Sequence, residues 1–223
     1  MTRSSSLKTS DVRHNRPVME TESVKKIYAA YSKIYDALFK RLFYPRIRHA
    51  ISGMHIKEGE RILDLGVGTG LSLPLYPAFS EVVGIDLSSE MLRVAGKKVK
   101  ELGLSHITLL EMDAMRLSFE DNSFDNVFIS HVVSVVPDPA AMMSEVRRVC
   151  KKGGKVVIVN HFKSRNPMVA GLQKIIRPIC KRIGWRSDLC MDEFLTKAGL
   201  KVDSISTLKK VDPWHIIMAT NMK

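Results

Sequence analysis

The sequence predicts a doubly wound α/β domain on a mostly parallel, seven-stranded sheet. Three observations predict it. From residue 60 onward, short apolar runs alternate with amphipathic ones; the first apolar run feeds a glycine-rich turn; and acids close the next two apolar runs. Apolar strands interleaved with helices mark a parallel sheet covered on both faces.

The elements follow in order. "RILDL" reads as a strand, with a helix from about Gly70. "EVVGID" is a strand and "SSEMLRVAGKKVKEL" a helix. "HITLLEMD" is a strand, "FDNVFISHVVSVV" contains another, and "DPAAMMSEVRRVC" is a helix. "KKGGKVVIVNHF" is a turn and strand. "SDLCMDEFLTKAGL" is a helix capped by Ser187 or Asp188 and stopped by Gly199. "KVDSISTL" and "WHIIMAT" close the chain as an antiparallel pair.

Two basic amphipathic segments flank this core. Residues 1–21 read as a disordered tail, and 22–223 as a single domain. Within it, 22–51 carries an apolar stripe through Val24, Ile27, Tyr28, Tyr31, Ile34, Tyr35, Leu38 and Leu42. Lys25, Lys26 and Lys33 lie mostly off that stripe, and Pro45 is expected to end or bend the helix. The second segment, 163–186, is a helical insertion after the fifth strand, decorated by Arg177, Lys181 and Arg182.

The chain has 223 residues, and its 35 Lys and Arg against 23 Asp and Glu give a net charge of +12. Such a balance points to an anionic partner: nucleic acid, an acidic lipid surface or an acidic substrate. Three cysteines without a CxxC pair suggest neither a disulfide framework nor a metal cluster, and fit a reducing, cytoplasmic setting. No metal is expected. No apolar run approaches the roughly 18 residues of a membrane span, and the opening residues lack the apolar centre of a signal peptide.

The glycine turn is the informative motif. In "ILDLGVGTGLSLPLY", counting G-x-G-x-x-G from Gly66 reaches Leu71, which fails the dinucleotide fingerprint. D-x-G-x-G-x-G fits throughout as Asp64, Gly66, Gly68 and Gly70. This pattern resembles the first motif of the class I S-adenosylmethionine-dependent methyltransferases, whose fold is Rossmann-like. S-adenosylmethionine has no pyrophosphate but carries an ammonium, so Asp64 suits the ammonium, directly or through water. Asp86, ending the second strand, can accept both ribose hydroxyls. Asp113 resembles the family residue that accepts the adenine amino group, with the Ala114 N–H beside it and Leu87 and Met112 placed to sandwich the ring.

The acceptor is approached first by exclusion. No D/N-P-P-Y/F loop follows the fourth strand, no cysteine follows a proline, and no three-cysteine cluster exists. Direct in-line transfer to N, O or activated C remains, a reaction run by positioning and desolvation. A basic amphipathic helix with tyrosines has the form of an interfacial membrane helix. Each Lys or Arg near an anionic surface contributes about 1 kcal/mol. "AAYSKIYDALF", "LDLGVGTGLSLPLYP" and "VNHF" together resemble the peripheral bacterial phosphatidylethanolamine N-methyltransferases. The resemblance implies successive methylation of the lipid amine to phosphatidylcholine by an enzyme held at the cytoplasmic membrane. His131 and His161, at strand ends, are candidates to take the amine proton or bind the lipid phosphate. Tyr35 is placed to close over the cofactor, and Tyr28 and Tyr31 to line the entrance. Arg177, Lys181 and Arg182 suit the phosphate, and Lys25, Lys26 and Lys33 the membrane surface. Trp185 and Trp214 are candidate interfacial anchors. Quinone, sterol or small-metabolite methylation, RNA methylation and a non-enzymatic binding module remain as alternatives.

Overall fold

The computed structural model describes residues 41–163, 189–209 and 212–223. Strands β1 (Arg61–Leu65), β2 (Glu81–Asp86), β3 (Ile107–Glu111), β4 (Phe124–Ser130), β5 (Cys150–His161), β6 (Lys201–Ser206) and β7 (Trp214–Thr220) form one sheet, ordered β3-β2-β1-β4-β5-β7-β6. β1 to β5 are parallel; β7 is antiparallel to both β5 and β6. The strand order reverses between β1 and β4, and the crevice at their carboxyl ends is where open α/β sheets bind ligands.

Strand alternation divides the core. Leu63, Leu65, Val127, Ile129, Val156 and Ile158 face helices α3 (Pro139–Val149) and α4 (Met191–Ala198), which contribute Met142, Met143, Val146 and Phe194. Ile62, Phe128, Val157 and Val159 face the other way, toward α1 (41–52) and α2 (Ser89–Glu101), meeting Phe43, Ile47, Ala50 and Ala95. Local chemistry sets the helix starts. Ser88 caps α2 by accepting from Met91 N–H, and Asp138 caps α3 by accepting from Ala140 and Ala141, with Pro139 following.

Four expectations need correction. No α-helix follows the glycine turn; a 3-10 turn, Leu73–Leu75, stands there instead. Pro74 and Pro77 remove the donors a longer helix would need. Pro45 does not end α1, which runs on to residue 52 because Phe43, Ile47, Ala50 and Ile51 are buried against the sheet. Leu42 is not on the face that packs on the sheet and is 37% exposed. α4 has Cys190 at its N-cap without a side-chain cap; Asp192 and Glu193 in the first turn suit the helix dipole instead. Gly199 does stop α4, with φ 64°, and Arg147 packs where any side chain there would stand. The tail 1–21, residues 22–40 with Lys25, Lys26, Tyr28, Tyr31, Lys33 and Tyr35, and 164–188 with Arg177, Lys181, Arg182, Trp185, Ser187 and Asp188 lie outside the described residues.

Candidate active site

β1 delivers Asp64 on the α1-facing side of the sheet, at 1% exposure. A carboxylate there must be hydrogen-bonded. Ser72 Oγ donates to Asp64 Oδ2 at 2.5 Å and Tyr76 Oη donates to the same oxygen at 3.0 Å. Ser72 and Tyr76 bracket the 3-10 turn, so Asp64 pins the chain that leaves the glycines. Burial dominates the carboxyl's ionisation and raises its pKa to about 6, against the lowering effect of these two bonds.

The three glycines have different duties. All have positive φ: 76° at Gly66, 55° at Gly68 and 72° at Gly70. A Cβ on Gly66 would stand 2.1 Å from Val132 Cγ2, and one on Gly70 2.6 Å from Leu73 Cδ1. A Cβ on Gly68 would meet nothing within 4 Å among the described residues, so these leave space in front of it. Gly68 N–H donates to Asp86 Oδ2 at 2.9 Å, and Ser88 N–H to Asp86 Oδ1 at 2.9 Å. Each carboxylate oxygen keeps a second lone pair. Asp86 therefore fixes the turn and still has capacity for a pair of hydroxyls.

The adenine-side residues follow β2 and β3. Leu87 is apolar yet 70% exposed at the end of β2. Met112, Asp113 and Ala114 are half-buried beyond β3. Asp113 Oδ1 accepts from Met115 N–H at 2.8 Å. An apolar side chain at the rim and a carboxylate with one oxygen uncommitted among the described residues suit an aminopurine.

His131 stands at the carboxyl end of β4 with φ 62°, a left-handed backbone that is rare outside glycine. Its N–H bonds the Val159 carbonyl at 2.8 Å, tying it to β5. The ring sits edge-on to Phe43 with centroids 4.2 Å apart, and Nδ1 lies 2.8 Å from Ser130 Oγ. Nε2 is buried and has no hydrogen-bond partner among the described residues. Burial first, then the proximity of His161 and Arg46, pushes the imidazole pKa down to about 3, so the ring is neutral at physiological pH. His161 ends β5 and is buried, opposite Trp214 in the register. Behind this group Arg46 pairs with Asp212 (Nη2–Oδ2 2.7 Å), and its guanidinium lies 4.8 Å from the Trp214 ring centroid. Trp214 is thus a half-buried brace between α1 and β7.

Residues 63–158 match the methyltransferase domain family. The chain is 41% identical over 185 residues to a phosphatidylethanolamine N-methyltransferase of Cereibacter sphaeroides, covering 82% of this chain and 90% of that one. The chain belongs to the class I S-adenosylmethionine-dependent methyltransferases. A demethylmenaquinone methyltransferase of Anoxybacillus flavithermus is 35% identical over 164 residues, covering 69% of this chain and 67% of the relative. The solved structure of a SAM-dependent methyltransferase from Methanosarcina mazei superposes with a TM-score of 0.63 at 25% identity, covering 77% of this chain and 97% of that one.

The cofactor of this methyltransferase is S-adenosylmethionine, and the residues at the turn fit it. The space before Gly68, the spare lone pairs of Asp86 and the exposed Leu87 side chain suit a nucleoside with a charged tail. A methyl group added at Gly66 should be severe, because it meets Val132 and also strains a left-handed backbone. Gly66→Ala is expected to lower stability by about 2 kcal/mol or more and to abolish measurable cofactor affinity, checked by thermal unfolding and calorimetry. A cleft of about 650 Å³ opens at the opposite, amino-terminal ends of β4 and β5. Its three acids are already engaged, Glu60 with Lys57 N–H and Asn126, Asp125 with Lys151 and Asp203 with Lys155, and it is remote from the turn.

Sequence reasoning missed Ser72, Tyr76, Ser130 and Phe43. The signal for the first two was present: an acid on an apolar strand face requires partners, and both donors follow within twelve residues. Ser130 and Phe43 take their meaning only from the twist of the backbone at His131.

Proposed function

We propose that this methyltransferase transfers methyl groups to the amine of phosphatidylethanolamine and then to its methylated intermediates, giving phosphatidylcholine at the surface of the cytoplasmic membrane. The observation that carries this reading is the 41% identity, over 82% of this chain and 90% of the relative, to a phosphatidylethanolamine N-methyltransferase. The net charge of +12 supports an anionic surface as the place of work. Among the described residues no helix is long and apolar enough to cross a membrane. Attachment is assigned to the basic segment around Lys25, Lys26 and Lys33 on its charge.

S-adenosylmethionine, when bound, supplies an electrophilic methyl group on a sulfonium. Asp64 would hold its ammonium, Asp86 its ribose hydroxyls, and Asp113, the Ala114 N–H, Leu87 and Met112 its adenine. The attacking amine must be neutral, and its pKa in water is about 10. Desolvation in a closed pocket favours the uncharged amine. With the His131 proton on Nδ1, Ser130 Oγ accepts it and Nε2 offers a lone pair to an amine N–H, aligning nitrogen for attack. By side-chain chemistry alone, His161, Tyr28, Tyr31 and Tyr35 are assigned to the lipid amine, whose positive charge suits aromatic faces, and Arg177, Lys181 and Arg182 to the lipid phosphate.

Asp64 gives the site a pH dependence. Its raised pKa means that ionisation costs stability as pH rises through about 4 to 6, whereas a bound ammonium favours the ionised form. Affinity for S-adenosylhomocysteine, which keeps the ammonium, is expected to fall about tenfold between pH 7 and pH 5, and Asp64→Asn to flatten that dependence. Calorimetric titrations at both pH values check this.

The similarity to demethylmenaquinone methyltransferases favours a quinone as the second reading. Methyl-labelled cofactor offered together with anionic vesicles containing phosphatidylethanolamine and with a demethylated quinone separates the two. Label is expected in the phospholipid; label in the quinone alone would reverse the assignment.

A further inference from the structure

The 3-10 turn after the glycines leaves a problem that Lys98 solves. In a helix starting at the turn, the Thr69 carbonyl would accept from residue 73 and the Gly70 carbonyl from residue 74. Residue 74 is proline and has no N–H. Both carbonyls are instead taken by one side chain: Lys98 Nζ donates to Thr69 O at 2.8 Å and to Gly70 O at 3.0 Å. Lys98 lies on α2, one turn beyond Ala95, and a Cβ on Gly70 would approach Ala95 Cβ to 3.2 Å as well as meeting Leu73. α2 therefore grips the turn twice on one face, by contact at Ala95 and by charge at Lys98.

We propose that Lys98 is a positioning residue for the cofactor turn, replacing the helical turn that Pro74 forbids. It orients the peptides at Thr69 and Gly70 and so holds Gly68 with its N–H on Asp86. It also sets a whole positive charge behind the turn, where a helix N-terminus would supply about half of one. That charge suits the carboxylate at the amino-acid end of the cofactor. The proposal rests on the reading of the glycine turn as the cofactor cradle.

The test is calorimetric binding of S-adenosylhomocysteine, with amide hydrogen exchange of the cofactor-free protein, for Lys98→Met, Lys98→Arg, and Lys98→Met combined with Pro74→Ala. Lys98→Met is expected to weaken binding about tenfold and to speed exchange at residues 66–72 while the β4 and β5 amides keep their protection. Lys98→Arg, which keeps the charge, is expected to bind more tightly than Lys98→Met. Pro74→Ala returns an N–H to the Gly70 carbonyl and is expected to recover much of the affinity lost in Lys98→Met. Wild-type affinity in Lys98→Met, or a loss that Pro74→Ala does not reduce, would overturn the proposal. Asp86→Ala run in parallel separates the two levels: if it too binds normally, the cradle reading itself fails.

Discussion

Asp86→Ala is expected to lower affinity for S-adenosylhomocysteine by about 100-fold or more, the largest binding loss of any single substitution outside the glycines. The carboxylate accepts from Gly68 N–H and Ser88 N–H, and in the proposed site from two ribose hydroxyls as well. Hydrogen bonds to a charged group contribute about 1.5–3 kcal/mol each, and two lost together exceed 3 kcal/mol before any loosening of the turn. Freed of Asp86, Gly68 also loses the bond that fixes its left-handed conformation. Titration calorimetry reads the loss directly; unchanged affinity would remove Asp86 from the cofactor site.

The second large effect falls on turnover rather than binding. His131→Asn is expected to lower kcat by about 100-fold or more, with S-adenosylhomocysteine affinity close to wild type. Asparagine tolerates the left-handed backbone that His131 adopts, so the substitution removes the imidazole without adding strain. Because burial holds the ring neutral down to about pH 3, the acid limb of kcat/KM for wild type should reflect the acceptor amine and not a histidine titrating near 6.5. Activity that rises with pH into the alkaline range fits this; a limb near pH 6.5 that disappears in His131→Asn would show that the ring titrates in solution as an ordinary histidine.

What was legible in the sequence was local. β1, β2, β4 and β5 are buried on both faces and so read as plain apolar runs. Asp64, Gly66, Gly68 and Gly70 lie within seven residues, Asp86 closes β2, and Asp113 follows the end of β3 by two residues. What was not legible depends on distant pairs. The helix expected after Gly70 is lost because Asp64 claims Ser72 and Tyr76, and because the prolines leave the turn to be completed by Lys98, 28 residues beyond Gly70. Arg46 and Asp212 are 166 residues apart, and no spacing rule joins them. The left-handed backbone of His131 follows from the departure of the chain from β4 while its N–H still bonds β5, a constraint set by the sheet rather than by the residue.

The most direct test of the account is the lipid composition of a bacterial host that makes phosphatidylethanolamine but none of its methylated forms, analysed by mass spectrometry after expression of this chain. The account predicts monomethyl-, dimethyl- and trimethyl-phosphatidylethanolamine in cells carrying the wild-type protein and their near absence with Asp86→Ala. Wild-type cells with unmethylated phospholipid, containing folded protein that binds S-adenosylmethionine, would contradict it.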